Sequence, residues 1–168
     1  MQGESFVQPL DFIKALGAAK VKWLLIGRQA LIAYGAPVAT QDYDIFISYE
    51  KESLRCFLKV CAKLDMEVIP FGSGDPAKSY KLSVYSAGSK IDVFRARSYS
   101  LKSGGSVTFD EMWAGRESVP LVAGATLNLP SLECLEKTKR IRLSPKDVED
   151  IKYIRELIAR RDRLLGGQ

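Results

Sequence analysis

The sequence has 168 residues, a net charge of +5 and no histidine. The missing histidine excludes Ser-His and Cys-His nucleophile pairs and His-ligated zinc. The three cysteines are too few for a tetrahedral zinc site made of cysteine alone. Any chemistry therefore relies on carboxylates, hydroxyls, amines or a bound hard metal ion. With 46% hydrophobic and 27% charged residues, the composition is that of a globular chain able to bury a core.

The start of the chain and its cysteines favour a cytoplasmic location. Residues 1–4 are polar and acidic, unlike a signal peptide. No apolar run approaches the roughly 18 residues that a membrane helix needs. An odd, unpaired set of cysteines is typical of a reducing compartment. We therefore expect a cytoplasmic protein with no membrane partner.

The first half of the sequence predicts alternating helices and strands. Strands are predicted at residues 21–26, 43–48, 67–71, 80–85 and 90–95, and helices after Pro9, after Gly27 and at residues 50–64. The last two strands are predicted to form a hairpin around Ala87-Gly88, preceded by a glycine-rich loop at residues 72–76. This alternation is typical of an α/β (α+β) fold in which helices flank a mixed β-sheet.

After Arg97 the pattern becomes looser. It predicts a loop at residues 103–106, a short helix at 109–115, and a hairpin of residues 119–122 with 126–129. Ser131 is expected to cap a helix that ends near residue 141, and Ser144 with Pro145 to begin a long last helix. We expect a single domain over residues 1–168, with an α/β core at 1–97 and a mainly helical, basic part at 98–168.

The positive charge is concentrated near the C-terminus. Residues 137–163 contain ten basic and five acidic side chains, which accounts for the whole net charge of +5. A basic segment of this kind indicates a polyanionic partner, such as the phosphates of a nucleotide or of RNA. The alternative is a solvated helix face on which basic and acidic side chains pair.

Two aspartates two residues apart are the sharpest chemical signal. Asp42 and Asp44 begin a predicted strand, so both side chains leave the same face. Asp92 lies inside another predicted strand, where aspartate is disfavoured. If the strands are neighbours, the three carboxylates converge, and such hard oxygen ligands suit Mg²⁺ or Mn²⁺. That arrangement serves nucleotidyl transfer by a two-metal route; the alternative is that these acids face solvent at strand ends.

A second signal is the junction where a predicted strand ends at Gly27 and a helix begins. Backbone N–H groups at such a helix start can bind a phosphate, and Arg28 adds positive charge. Because strand–glycine–helix junctions are common, this signal is weak on its own.

Together these motifs resemble the nucleotidyltransferase superfamily, in which a strand, a glycine, a helix, Asp-x-Asp and a later aspartate follow one another. The matching residues are Gly27-Arg28, Asp42-Tyr43-Asp44 and Asp92. The sequence around these motifs, together with Lys139 and Pro145-Lys146-Asp147 later in the chain, is similar to that of the small bacterial nucleotidyltransferases related to abortive-infection toxins. The resemblance covers about residues 20–157.

The resemblance implies a metal-dependent enzyme that transfers an NMP from an NTP, such as ATP, to an acceptor hydroxyl on an RNA end or a protein side chain. It implies catalytic and metal-binding roles for Asp42, Asp44 and Asp92, with Mg²⁺ or Mn²⁺ as cofactor. It implies nucleotide-binding roles for a second set of residues, namely Gly27, Arg28, Thr40, Lys139 and Lys146. It also implies a toxin–antitoxin role with an antitoxin protein as partner.

Two positions depart from the family pattern. Arg28 stands where the family has a small residue, and Val38 where it often has a basic one. The alternative function is therefore a catalytically degenerate module of the same fold that binds nucleic acid or a partner protein.

Overall fold

The computed structural model describes residues 7–72, 74–86 and 88–167. The helices in these ranges are α1 (Pro9–Ala18), α2 (Gly27–Ala33), α3 (Lys51–Lys63), α4 (Phe109–Ala114), α5 (Leu132–Lys139) and α6 (Pro145–Gly166). The strands are β1 (Trp23–Ile26), β2 (Tyr43–Ile47), β3 (Glu67–Pro70), β4 (Lys81–Ser86), β5 (Ser89–Phe94), β6 (Ser98–Ser100), β7 (Ser106–Thr108), β8 (Glu117–Pro120) and β9 (Thr126–Leu129). The polar start at residues 1–4, Ser73 of the predicted loop and Ala87 of the predicted hairpin turn lie outside the described residues.

A mixed five-stranded sheet, in the order β1-β2-β5-β4-β3, forms the centre of the fold. Strands β2 and β5 run parallel, whereas the other neighbouring pairs are antiparallel. The parallel pair places Asp44 opposite Asp92, and the pairing of β1 with β2 places Ile26 opposite Asp44. The prediction of a mixed sheet flanked by helices is confirmed, and the two inner aspartates lie on neighbouring strands.

The sheet has two different faces because side chains alternate along each strand. One face packs into the larger core, whose buried members include Leu25, Ile45 and Val93 together with Phe12 of α1 and Phe57 of α3. The opposite face contributes Leu24, Ile26 and Phe46 to a smaller core with Phe109 and Met112 of α4. Burying a side chain such as Phe57 stabilises the fold by about 1.5–3 kcal/mol. Asp44 and Asp92 lie on the second face.

The C-terminal part contains more β-structure than the sequence predicts. Strands β8 and β9 form the predicted hairpin, but β6 and β7 form an additional antiparallel pair around the predicted loop. Each of these two strands has three residues, which is too short for a period-two pattern to be recognised. Strand β9 lies against β1, and α6 lies against α2. These contacts join the C-terminal part to the α/β core, while the extent of the domain stays a prediction.

Helix α6 begins as the sequence predicts. The Ser144 hydroxyl accepts a hydrogen bond from the Asp147 backbone N–H (3.2 Å), and the Asp147 carboxylate accepts one from the Ser144 backbone N–H (2.9 Å). This reciprocal capping box satisfies two N–H groups that helix geometry leaves unpaired. The buried residues of α6 are Asp147, Asp150, Ile151 and Ile154, at the spacing of one helix face. No helix in the described ranges is long and apolar enough to cross a membrane.

Candidate active site

One cleft of about 600 Å³ contains every residue that the sequence assigns to a site. Its lining includes the predicted carboxylates Asp42, Asp44 and Asp92, and the predicted phosphate-binding residues Gly27, Arg28, Thr40, Lys139 and Lys146. Ligand pockets of roughly 300–1,000 Å³ are typical of sites for small molecules and cofactors. The residues therefore share one cavity of suitable size, although they come from positions more than a hundred residues apart.

The three carboxylates differ in their surroundings. Asp44 is half-buried in the middle of the sheet, and its register partner on β5 is Asp92. Asp42 is exposed and precedes the first residue of β2. Burial is the largest influence that raises the pKa of Asp44, and the negative charges of Asp92 and Asp42 add to it, against the opposing charges of Lys139 and Lys81. A positive charge bound beside Asp44 would offset this cost.

Gly27 lies directly against the Asp44 carboxylate. Its φ of +69° is in the left-handed region, which glycine adopts without strain. A Cβ atom built on Gly27 would lie 2.9 Å from Oδ2 of Asp44, closer than Cβ contacts normally come. The glycine at the end of β1 is therefore needed both for the turn into α2 and for the position of Asp44.

Asp150 of α6 holds two of the predicted phosphate-binding residues in place. Its fully buried carboxylate accepts hydrogen bonds from Arg28 Nε (3.1 Å) and from Lys139 Nζ (2.8 Å). Lys139 is only 8% exposed, and its ammonium also lies 3.9 Å from Asp147. An ammonium has three N–H donors and a guanidinium five, so both groups keep donors for a ligand. Asp150 is thus a positioning residue for the basic side of the cleft.

Thr40, Arg142 and Lys146 complete the basic side and the rim. The Thr40 hydroxyl accepts a hydrogen bond from the Asp42 backbone N–H (3.1 Å), so it supports the loop that carries Asp42. Arg142 and Lys146 line the cleft, are exposed, and form no salt bridge with any carboxylate in the described part of the chain. These two cations are therefore available to an anionic ligand.

Asp92 has partners that the sequence analysis does not predict. Its carboxylate lies 3.3 Å from Lys81 Nζ and 3.2 Å from Lys90 Nζ, and accepts a hydrogen bond from the Ser83 hydroxyl (3.1 Å). Burial favours a higher pKa for Asp92, but the hydrogen bond and charge of Lys90 and the charge of Lys81 outweigh it and lower the pKa below its ordinary value. Asp92 therefore stays ionised at neutral pH.

A signal for the missed residues exists in the sequence. Lys81 and Ser83 alternate along β4, so they point to the same face as their hairpin neighbour Asp92. Asp147 and Asp150 fall on the apolar stripe of α6 beside Ile151, where an unpaired acid would be costly. Acids on an apolar stripe predict buried basic partners, which here are Arg28 and Lys139.

The whole architecture matches solved nucleotidyltransferases. A candidate nucleotidyltransferase from Thermotoga maritima superposes with a TM-score of 0.57, at 18% identity over 89% of each chain. ANT(2″)-Ia in complex with adenylyl-2″-tobramycin gives 0.59, at 11% identity over 92% of this chain and 90% of the other. The lincosamide antibiotic adenylyltransferase LnuA, bound to lincomycin, gives 0.58, at 12% identity over 91% and 99%. No protein-family model and no curated sequence matches the chain.

The chain has the nucleotidyltransferase fold. At these identities the likeness shows the fold alone, and the chemistry of the cleft depends on the residues of this chain. The mixed sheet, the glycine at the end of β1 and the aspartates of β2 and β5 are the parts that the sequence analysis attributes to this fold.

The nucleotidyltransferase fold raises the question of whether the carboxylates suit a divalent metal ion. Asp42 and Asp44 offer carboxylate oxygens, the ligand type that Mg²⁺ and Mn²⁺ prefer. Burial is the main cause that raises the pKa of Asp44, with the charges of Asp92 and Asp42 adding to it, so a cation bound beside Asp44 would favour its ionised form. Within the described ranges, no three acidic or cysteine side chains are close enough together to form a ready metal site. The ligand chemistry of Asp42 and Asp44 therefore suits a divalent ion, whereas the described residues contain no ready cluster of three such ligands.

Proposed function

We propose that this protein is a metal-dependent nucleotidyltransferase, which transfers an NMP from an NTP to an acceptor hydroxyl. The observation that carries the proposal is the cleft itself, where Asp42, Asp44 and Asp92 line the same cavity as Arg28, Lys139 and Lys146. Carboxylates suit a divalent ion, and basic side chains suit phosphates. When bound, Mg²⁺ or Mn²⁺ would neutralise the triphosphate and favour attack at its α-phosphorus.

In the proposed reaction, the acceptor oxygen forms a bond to the α-phosphorus and the bond from that phosphorus to the bridging oxygen of the β-phosphate breaks. Pyrophosphate leaves, and the hydroxyl proton goes to Asp92 or to water. Asp42 and Asp44 would hold the metal ion. The N–H groups of the Gly27 turn, the Thr40 segment and the side chain of Arg28 would orient the phosphates.

The basic side chains of the cleft would stabilise the leaving group. Lys139 and Lys146 face the cleft and would neutralise the charge that develops on pyrophosphate. Asp150 fixes the Lys139 ammonium and the Arg28 guanidinium before substrate arrives. Such pre-organised charges need no reorientation during the reaction, which is why they are effective in catalysis.

The charge of the cleft favours an acceptor that is not a polycation. Its lining contains five basic side chains (Arg28, Lys81, Lys139, Arg142 and Lys146) and four acidic ones (Asp42, Asp44, Asp92 and Asp147). An aminoglycoside carries several ammonium groups, and these would be repelled by the unpaired Arg142 and Lys146. We therefore propose an RNA end or a hydroxyl of a protein as acceptor, with RNA preferred because its phosphates complement the exposed cations.

The biological setting is a further part of the proposal. Similarity of the motifs to abortive-infection toxins supports a toxin–antitoxin role with an antitoxin protein as partner. The three free cysteines agree with a cytoplasmic location. Expression of the gene alone should slow bacterial growth, and Asp44→Asn should abolish that effect. Normal growth with the wild-type protein would contradict the toxin role but not the proposed nucleotidyl transfer.

The enzymatic proposal is tested by incubating the protein with each α-labelled NTP, Mg²⁺ and total RNA or cell protein. We expect label transfer with the wild type and a loss of at least about 10²-fold in Asp44→Asn, because the pair that holds the metal is broken. Asp162→Asn, an exposed aspartate outside the cleft, is the matched control. Absence of transfer with every NTP and of Mg²⁺-dependent NTP binding would contradict the proposal.

The degenerate-module alternative gives a different result in the same experiment. A chain that only binds nucleic acid should show no label transfer, yet retain salt-sensitive RNA binding in both the wild type and Asp44→Asn. Equal RNA binding in the two proteins, without transfer, would therefore favour the binding module over the enzyme.

A further inference from the structure

The three carboxylates of the cleft differ in their positively charged partners. In the described part of the chain, Asp42 and Asp44 form no salt bridge. Asp92, by contrast, lies within 3.3 Å of Lys81 Nζ and 3.2 Å of Lys90 Nζ and also accepts a hydrogen bond from Ser83. The carboxylate on β5 therefore already has positive partners at salt-bridge distance, whereas Asp42 and Asp44 have none at that distance among the described residues.

Of the two lysines, Lys81 is the one that faces the cleft. It lines the cavity and its side chain is 27% exposed, while the side chain of Lys90 is 47% exposed and lies outside the lining. Lys81 is paired with Phe94 across β4 and β5, and its ammonium lies 5.5 Å from the centre of that ring. The strand register and the cation–π contact thus fix its position.

Lys81 also lies close to the strand that carries the neighbouring carboxylate. Its ammonium is 3.3 Å from Asp92, and Asp92 is the register partner of Asp44 on β2. A divalent ion bound at Asp92 would have to displace this ammonium or lie against it, and like charges at that distance repel strongly in a partly buried site. A divalent ion at Asp42 and Asp44 meets no such obstacle.

We propose that the Lys81 ammonium permanently neutralises Asp92, so that the cleft binds one divalent ion, at Asp42 and Asp44, and not two. This inference rests on the proposed function, because it assumes that Mg²⁺ or Mn²⁺ enters the cleft with the NTP. Lys81 is a positioning residue: it orients the Asp92 carboxylate toward the acceptor and supplies the charge that a second ion would otherwise supply.

The test is the number of ions bound. Mn²⁺ is titrated into the protein with a saturating NTP analogue that carries a methylene group between the α- and β-phosphates, and free Mn²⁺ is measured by electron paramagnetic resonance. We expect one Mn²⁺ per chain in the wild type and two in Lys81→Met, because Asp92 loses the ammonium that faces the cleft. Lys81→Arg should restore one, and Lys90→Met, the matched control on the same carboxylate, should keep one.

Two results would overturn the inference while leaving the proposed function intact: two ions in the wild type, or one ion in both the wild type and Lys81→Met. Binding of neither analogue nor Mn²⁺ by any of the four proteins would contradict the proposed function itself. Near-ultraviolet circular dichroism of each variant identifies a misfolded Lys81→Met, and Lys81→Gln, which retains a long polar side chain, then takes its place with the same expected count of two.

Discussion

Removal of the Asp150 carboxylate should destabilise the fold more than any other single change around the basic side chains of the cleft. Asp150 is fully buried and accepts hydrogen bonds from Arg28 and Lys139. In Asp150→Ala, the 8%-exposed Lys139 retains only Asp147, at 3.9 Å. Breaking a buried ion pair from one side costs about 3–5 kcal/mol, since the remaining charge is left buried without its partner. For a chain of this size, that loss lowers Tm by roughly 6–20 °C.

The assay is urea denaturation followed by circular dichroism, with Glu149→Ala as the matched control. Glu149 is the next residue along α6 and also pairs with Arg28, but at 3.5 Å and with a side chain that is 58% exposed. An exposed pair of this kind contributes only about 0–1 kcal/mol. If Asp150→Ala and Glu149→Ala lower the free energy of unfolding equally, the buried network does not hold Arg28 and Lys139 as described.

Three further changes test the site and its supports. Gly27→Ala should lower the free energy of unfolding by about 1–2 kcal/mol, because a residue with a Cβ is strained in the left-handed region. It should also weaken NTP binding, because the new Cβ would lie 2.9 Å from Asp44 Oδ2. Urea denaturation and calorimetric titration measure the two effects, and an unchanged affinity would show that Asp44 is not displaced. Because the pKa of Asp44 is raised in the folded chain, its ionised form opposes folding. Without divalent ions, Asp44→Asn should therefore stabilise the protein at neutral pH, and this gain should shrink as the pH falls through the raised pKa and vanish at about pH 3, where the unfolded carboxyl is also protonated. A gain that persists unchanged at acid pH would contradict that assignment. Ser144→Ala removes the hydroxyl of the α6 capping box and should cost about 1 kcal/mol in urea denaturation, whereas an unchanged midpoint would mean that the cap contributes nothing.

Local patterns predict most of the elements of this fold. The stripe of α3, the capping residues Ser131 and Ser144, and the hairpin of β4 and β5 depend on neighbours within a few residues, and each is found where it is expected. The pair β6–β7 is missed because each strand has three residues and its stability depends on packing Val107 into the smaller core. Short strands of this kind are defined by tertiary contacts rather than by their own sequence.

The site shows the same division between local and distant information. Spacing alone predicts that Asp42 and Asp44 share a face, but the register that sets Asp44 opposite Asp92 joins residues 48 positions apart. The sequence predicts their convergence only on the condition that the two strands are neighbours. The roles of Asp150 and Lys81 depend on how α6 docks on α2 and how β4 pairs with β5. Such contacts between distant segments are not encoded in the periodicity of either segment.

The paired basic residues show why a count of charges overstates a charged surface. Several members of the C-terminal basic segment, including Arg140, Arg155 and Arg161, form salt bridges with Glu136 or Glu133. The predicted alternative of a helix face with paired charges is therefore correct for these residues. Arg142 and Lys146 line the cleft and form no salt bridge with a carboxylate of the described residues, so they are available to a polyanion at the site.

Binding of an NTP with and without Mg²⁺ tests directly whether Asp42 and Asp44 hold the metal–triphosphate complex. The methylene analogue is titrated calorimetrically into the wild type and into Asp44→Asn, which is expected to remain folded. We expect binding by the wild type that requires Mg²⁺, and a loss of that binding in Asp44→Asn. Equal affinity of the two proteins, or binding that does not depend on Mg²⁺, would contradict it.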